Sequence, residues 1–258
     1  MKTKSLLCAA VLCLLLSVPV YAGDSMQPTV EPQVISIGAL YNGTTLHVDG
    51  SIPADGNVVL RFLGASCNLQ LKEKGKVFGL MWMNLDSLVL SGVPSVCIVD
   101  AAEIPGSSAK SSGEGKALEP FLLGALKDGA RIEGEGAGQH ESAFDEFIKL
   151  KKEEGLYREV AGNIRFDPAS DGRKSFHAEI PVPSRLAPGD YLVEVSAIRN
   201  GGVVSRSELP VSVKLVGFPG FLAGLAYKHA ALYGVLATLI ALLGGLAIGA
   251  VFQSKGAH

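Results

Sequence analysis

From Val34 to Val99 apolar and polar positions alternate with the period of two that a half-buried β-strand requires. Ile35-Ser36-Ile37 and Thr44 to Val48 show it first, with Tyr41-Asn42-Gly43 between them as a hairpin signal. Asn57 to Leu63 is the next strand, entered through Asp55-Gly56. Cys67, Leu69 and Leu71 alternate with Asn68, Gln70 and Lys72, and Lys74-Gly75-Lys76 reads as a turn into Val77 to Met83. Ser95 to Asp100 closes a block of short strands recurring about every ten residues, the rhythm of an immunoglobulin-like β-sandwich.

The pattern breaks after Ala102. Residues 103–116, with Pro105-Gly106-Ser107-Ser108 and Ser111-Ser112-Gly113, read as a flexible linker. A helical insertion is expected over 117–157. Leu118 to Lys127 is its weaker helix, broken by Gly124 and Gly129. Glu141 to Glu154 is the stronger, with Phe144, Phe147 and Ile148 on one face and Gly155 as its cap. Alternation returns in Phe176, Ala178, Ile180 and Val182. Pro188-Gly189-Asp190 then turns the chain into Tyr191, Val193, Val195 and Ala197, and Asn200-Gly201-Gly202 reverses it into Val203 to Leu215. Residues 23–216 are read as one discontinuous β-rich domain rather than two sandwiches.

Neither end follows these periods. Ala230 to Phe252 is unbroken by charge, and as a helix it is roughly 34 Å long against a bilayer core of about 30 Å. At the other end Lys2 and Lys4 precede an apolar stretch from Leu6 to Val20, and Val20-Tyr21-Ala22 reads as a cleavage signal, giving a signal peptide over 1–22. The domain is therefore expected outside the cytoplasm, on a single C-terminal transmembrane helix (230–252) with a cytoplasmic tail (253–258). Lys228 and His229 before the span nearly balance Lys255 after it, so orientation rests on the signal. Residues 217–229 form a juxtamembrane segment whose Phe218, Phe221 and Tyr227, with Tyr233, suit an aromatic belt.

All 25 acidic residues lie between Asp24 and Glu208, whereas Lys2, Lys4 and Lys255 fall outside that stretch. The exported part is mildly acidic without a basic stripe, which argues against nucleic acid as a partner. Of the 4 cysteines, Cys8 and Cys13 fall in the signal. Cys67 and Cys97 remain, as a disulfide in an oxidising compartment or as two buried small hydrophobes.

Met81-Trp82-Met83 places two thioethers on one face of a strand, a soft pair suited to Cu(I) that Cys67, Cys97 or His47 could complete. Methionine is also ordinary core filler, and the core reading is preferred, with a copper-binding module as the alternative. The 5 histidines, at 47, 140, 177, 229 and 258, show no zinc-like spacing. No nucleophile elbow, phosphate-binding glycine loop or haem motif appears, so neither an enzyme nor a cofactor is expected. In the anchor, Gly234, Thr238, Ala241, Gly245 and Gly249 line one face with small residues that admit a second helix, from a membrane protein or another copy.

Lys74 to Val99 (KGKVFGLMWMNLDSLVLSGVPSVCIV), Phe147 to Glu159 (FIKLKKEEGLYRE) and Gly217 to Phe252 (beginning GFPGFLAGLAYKHAALYG), with the PGDYLVEV strand, resemble an uncharacterised transmembrane protein family first delineated in alphaproteobacteria. The likeness covers most of the mature chain in the same order and carries no catalytic signature. It implies a bacterial inner-membrane protein with its domain in the periplasm. Through neighbouring genes for sulfite-exporter-type permeases it points to a transport partner. The expected function is thus a non-catalytic binding or accessory subunit of a membrane transporter or envelope complex.

Overall fold

The computed structural model describes residues 26–77, 80–102, 117–133 and 140–253. The expected signal, the linker from 103 onward and all but the first residue of the tail lie outside these. Sheet A comprises β1 (Thr29–Glu31), β3 (Thr44–Pro53), β11 (Arg173–Val182) and β10 (Ile164–Phe166), in that order. Sheet B runs β2 (Val34–Ile37), β13 (Gly202–Leu215), β12 (Gly189–Arg199), β4 (Asn57–Gly64), β7 (Cys97–Ala101) and β9 (Tyr157–Ala161). Strands from both halves of the sequence share each sheet, so they close one mainly β sandwich. A third, smaller sheet holds β5 (Ser66–Val77), β6 (Met81–Pro94) and β8 (Arg131–Glu133).

Alternation explains the first core. Leu46, Val48, Phe176 and Ile180 of sheet A meet Leu60, Phe62, Ile98, Val193 and Val195 of sheet B, all buried. Phe62 stacks on Tyr191 at 5.2 Å, and the Tyr191 hydroxyl donates to the Ala187 carbonyl at 2.8 Å. Apolar burial gains about 25 cal/mol per Å², so this interface supplies the main driving force for folding.

Sheet B is covered on its other face too. Val59, Cys97 and Val99 there join Leu90 and Val93 of β6 and Phe121, Leu123, Phe144 and Phe147 of the insertion. The strong helix forms as its pattern predicts, as α1 (His140–Glu153), with Phe144 and Phe147 buried and Gly155 at φ +74 ending it. Phe147 meets the Tyr157 ring edge-on at 5.6 Å. The weaker helix is instead two 3₁₀ turns, Glu119–Phe121 and Leu123–Ala125, followed by a short helix Leu126–Gly129. Pro120 and Gly124 deny it a continuous α-helical ladder.

Three turn assignments change, the first being Pro188-Gly189-Asp190, whose Gly189 and Asp190 already lie in β12, paired with Val213 and Ser212. Tyr41-Asn42-Gly43 does not make a hairpin: β2 pairs in parallel with β13, and β3 pairs with β1 and β11, so the segment crosses between sheets. Lys74-Gly75-Lys76 is not a turn either. Gly75 pairs with Met83 and Lys76 with Trp82, and a register shift at Glu73/Lys74 lets β5 run on to Val77. The reversal therefore falls between Val77 and Met81. After β13 come α2 (Gly217–Lys228) and α3 (Ala230–Gln253), separated by His229 alone.

Candidate docking site

β4 leads through Ala65 into β5, and β6 leads through Ser95 and Val96 into β7. The two pairs form one ladder: Leu63 faces Cys97, Gly64 N–H donates to Val96, Ser95 N–H donates to Ala65, and Cys67 faces Val93. The β5–β6 hairpin is thus an outgrowth of the central strands of sheet B. Cys67, Leu69 and Leu71 lie against the second cluster, while Asn68, Gln70 and Lys72 are exposed, as the alternation predicts.

That cover stops partway along. β8 pairs with β6 only at Val89–Ser91, and Leu88 is buried opposite Leu71. From there to the Val77–Met81 pair the ribbon runs on for about 20 Å. At its end Leu80 is 87% exposed, Met81 61% and Met83 49%. The preferred core reading of Met81 and Met83 is overturned. They belong to the last pairs of the ribbon, Val77–Met81 and Gly75–Met83, beyond the part that the insertion covers. For the copper alternative, the structure brings neither cysteine to them. Cys67 sits near the hairpin's base opposite Val93, Cys97 lies in β7, and His47 belongs to sheet A.

Cys67 and Cys97 share the second cluster as free thiols, four register steps apart on the ladder, so the expected disulfide is not formed in this structure. Burial pushes the Cys97 thiol up to about 12. Tyr157 donates to the Pro94 carbonyl at 2.6 Å and fixes the hairpin's return to β9.

Three polar groups escaped the sequence reading. Glu194, 1% exposed, accepts from Arg61 Nη2 at 2.6 Å and Arg206 Nη2 at 2.8 Å, with Ser196 at 3.3 Å. Arg61 also lies over the Phe121 ring at 5.3 Å, which ties the insertion to sheet B. Asp100 is 1% exposed, and neither carboxylate oxygen finds a partner in bonding geometry. Burial raises it to about 7, against the pull of the nearby Asn163 amide toward the charged form. On the outer face of sheet A, His177 is clamped by Asp49 (Nδ1, 2.6 Å) and Asp167 (Nε2, 3.2 Å). The two carboxylates, Asp49 first, raise its pKa. With both ring nitrogens engaged, His177 offers no lone pair to a metal, and no group of three or more His, Cys, Asp or Glu among the described residues could hold one.

In α3, Gly234, Thr238, Ala241, Gly245 and Gly249 fall within about a quarter of the helix circumference. A Cβ added at Gly234, Gly245 or Gly249 would meet nothing within 4 Å, and the Thr238 hydroxyl donates back to the Gly234 carbonyl at 2.9 Å. The stripe is open, and Ala230–Phe252 within α3 is long and apolar enough to cross a membrane.

No curated protein matches the chain. Among solved structures, one titled "Structure or murine CRIg" is 8% identical, covering 74% of this chain and 99% of that one at a TM-score of 0.24, a likeness too slight to carry an argument. A family model matches residues 25–254, nearly the whole chain including the span. The protein therefore belongs to the transmembrane family described as "Putative transmembrane protein (Alph_Pro_TM)".

Proposed function

We propose that the protein is a membrane-anchored, non-catalytic accessory subunit whose β5–β6 hairpin docks on a membrane-protein partner, a permease in the simplest case. The observation that carries the reading is the apolar end of that hairpin. Leu80, Met81 and Met83 stand in solvent on a two-stranded arm, although burying each would gain about 1.5–3 kcal/mol. Methionine suits such a contact because its flexible thioether adapts to a groove. The insertion braces the arm's base through Leu90, Val93 and Tyr157, which fixes where the arm leaves the domain. The small-residue stripe of α3 would give the same partner, or a second copy, a close approach within the bilayer.

The placement that goes with this reading is the bacterial inner membrane, with the β domain in the periplasm and the C-terminus in the cytoplasm. It rests on Lys2 and Lys4 ahead of the apolar leader and on the C-terminal span. The rival is Cu(I) held by Met81 and Met83, whose exposure on one side of β6 leaves them open to an incoming ion. One experiment separates the two. Full-length tagged protein is purified in mild detergent, and co-eluting proteins and bound copper are both quantified. A stoichiometric membrane protein without metal supports the accessory reading, and stoichiometric copper without a partner overturns it.

A further inference from the structure

The junction between the β domain and the span contains no linker. β13 ends at Leu215, Val216 N–H still donates to the Ile37 carbonyl, and α2 starts at Gly217, whose φ of +63 turns the chain. A Cβ on Gly220 would lie 2.7 Å from the Leu215 carbonyl, so the first turn of α2 is seated directly on the strand it leaves. At the other end only His229 separates α2 from α3. Its N–H donates to Leu225 and its carbonyl accepts from Tyr233.

α2 is about 18 Å long and carries no charge until Lys228 in its last turn. It buries none of its residues against the domain. Phe218, Phe221, Leu222 and Leu225 fall within an arc of about 100°, while Gly220, Gly224 and the amphipathic Tyr227 lie toward the opposite side. The neighbouring end of the domain is apolar too. Leu215 and Val216 are partly exposed, and Leu40, just past the Gly38 that packs on Val216, is 96% exposed.

We propose that α2 lies along the interface of the bilayer that α3 crosses, on the domain's side. Its Phe218–Leu225 face would sit among the acyl-chain ends and Lys228 at headgroup level. The covalent continuity selects lipid as the occupant. A helix joined by one residue to the start of a span has its C-terminal end held at the membrane surface, and its bulky face is free of charged groups and so suits lipid. Because Gly220 holds α2 against β13, the interfacial helix also sets the height and tilt at which the β domain stands. The inference is independent of the hairpin, which is a different surface.

The test uses the full-length protein in phosphatidylethanolamine–phosphatidylglycerol vesicles. Trp82, the sole tryptophan, is replaced (Trp82→Phe), and a reporter is introduced as Phe221→Trp or, separately, Phe218→Trp. The expected result is blue-shifted emission that loses most of its intensity when the lipids carry bromine near the headgroup end of their chains. Emission at the water-exposed wavelength overturns the proposal. So does blue-shifted emission that brominated lipid fails to quench, because that would mean a protein partner or second copy covers the face. Two reporter positions guard against one variant disturbing the helix.

Discussion

Asp100 allows a quantitative check of the packing. Its carboxyl lies in the sandwich with both oxygens unpartnered, and burial moves it from its ordinary value of 3.8 to about 7. That displacement corresponds to roughly 4 kcal/mol of preference for the neutral form, as an upper bound. The sign follows from proton counting. Between about pH 4 and pH 7 the folded chain keeps a proton that the unfolded chain has released, so stability falls as pH rises through this window and then levels off. Asp100→Asn removes the titration and keeps the shape. Urea unfolding of the full-length protein in mild detergent, followed by its β circular dichroism, should give nearly equal stabilities for the two proteins at pH 4. At pH 8 the variant should be more stable by up to about 4 kcal/mol. A gap independent of pH, or one that widens toward acid, would refute the burial of a lone carboxyl at this position.

Other predictions follow from the same geometry. Glu194→Ala strands Arg61 beside Phe121 without its buried partner and should cost about 3–5 kcal/mol in the same unfolding assay. Phe147→Ala opens a void beneath Tyr157 and should cost about 3–5 kcal/mol, whereas exposed Leu80→Asp should stay within about 0.5 kcal/mol of wild type. His177 should titrate above its ordinary value of 6.5 by NMR, and Asp49→Asn should lower it, because Asp49 is the leading cause of its rise. Alkylation of the denatured protein without reductant should label both Cys67 and Cys97. A bridged pair would mean that the ladder bends at Gly64–Ala65 far enough to bring together residues four steps apart.

The strands and α1 were legible because burial acts on local periodicity. Phe176 to Val182 faces one core, and Phe144 and Phe147 share a helix face whatever the tertiary context. Pairing was less legible. Tyr41-Asn42-Gly43 has hairpin chemistry, yet the flanking strands join different sheets, a choice made by long-range contacts with β11 and β13. Glu194 and Ser196 alternate with Val193, Val195 and Ala197 as solvent-facing residues would. Only the insertion, distant in sequence, turns their face into an interior. The hairpin's end misled for a related reason. A run as apolar as Val77 to Met83 signals burial, and the sequence holds no mark that the cover ends near Leu71 and Leu88. The exposed apolar end is the departure from local rules that a docking surface entails.

The most direct test of the docking account compares full-length wild type with Met81→Asp/Met83→Asp in the same mild-detergent purification. The account predicts that the variant folds and inserts as wild type does but loses its stoichiometric membrane-protein partner. Retention of that partner at wild-type stoichiometry would contradict it, and the hairpin's end would no longer be its docking site.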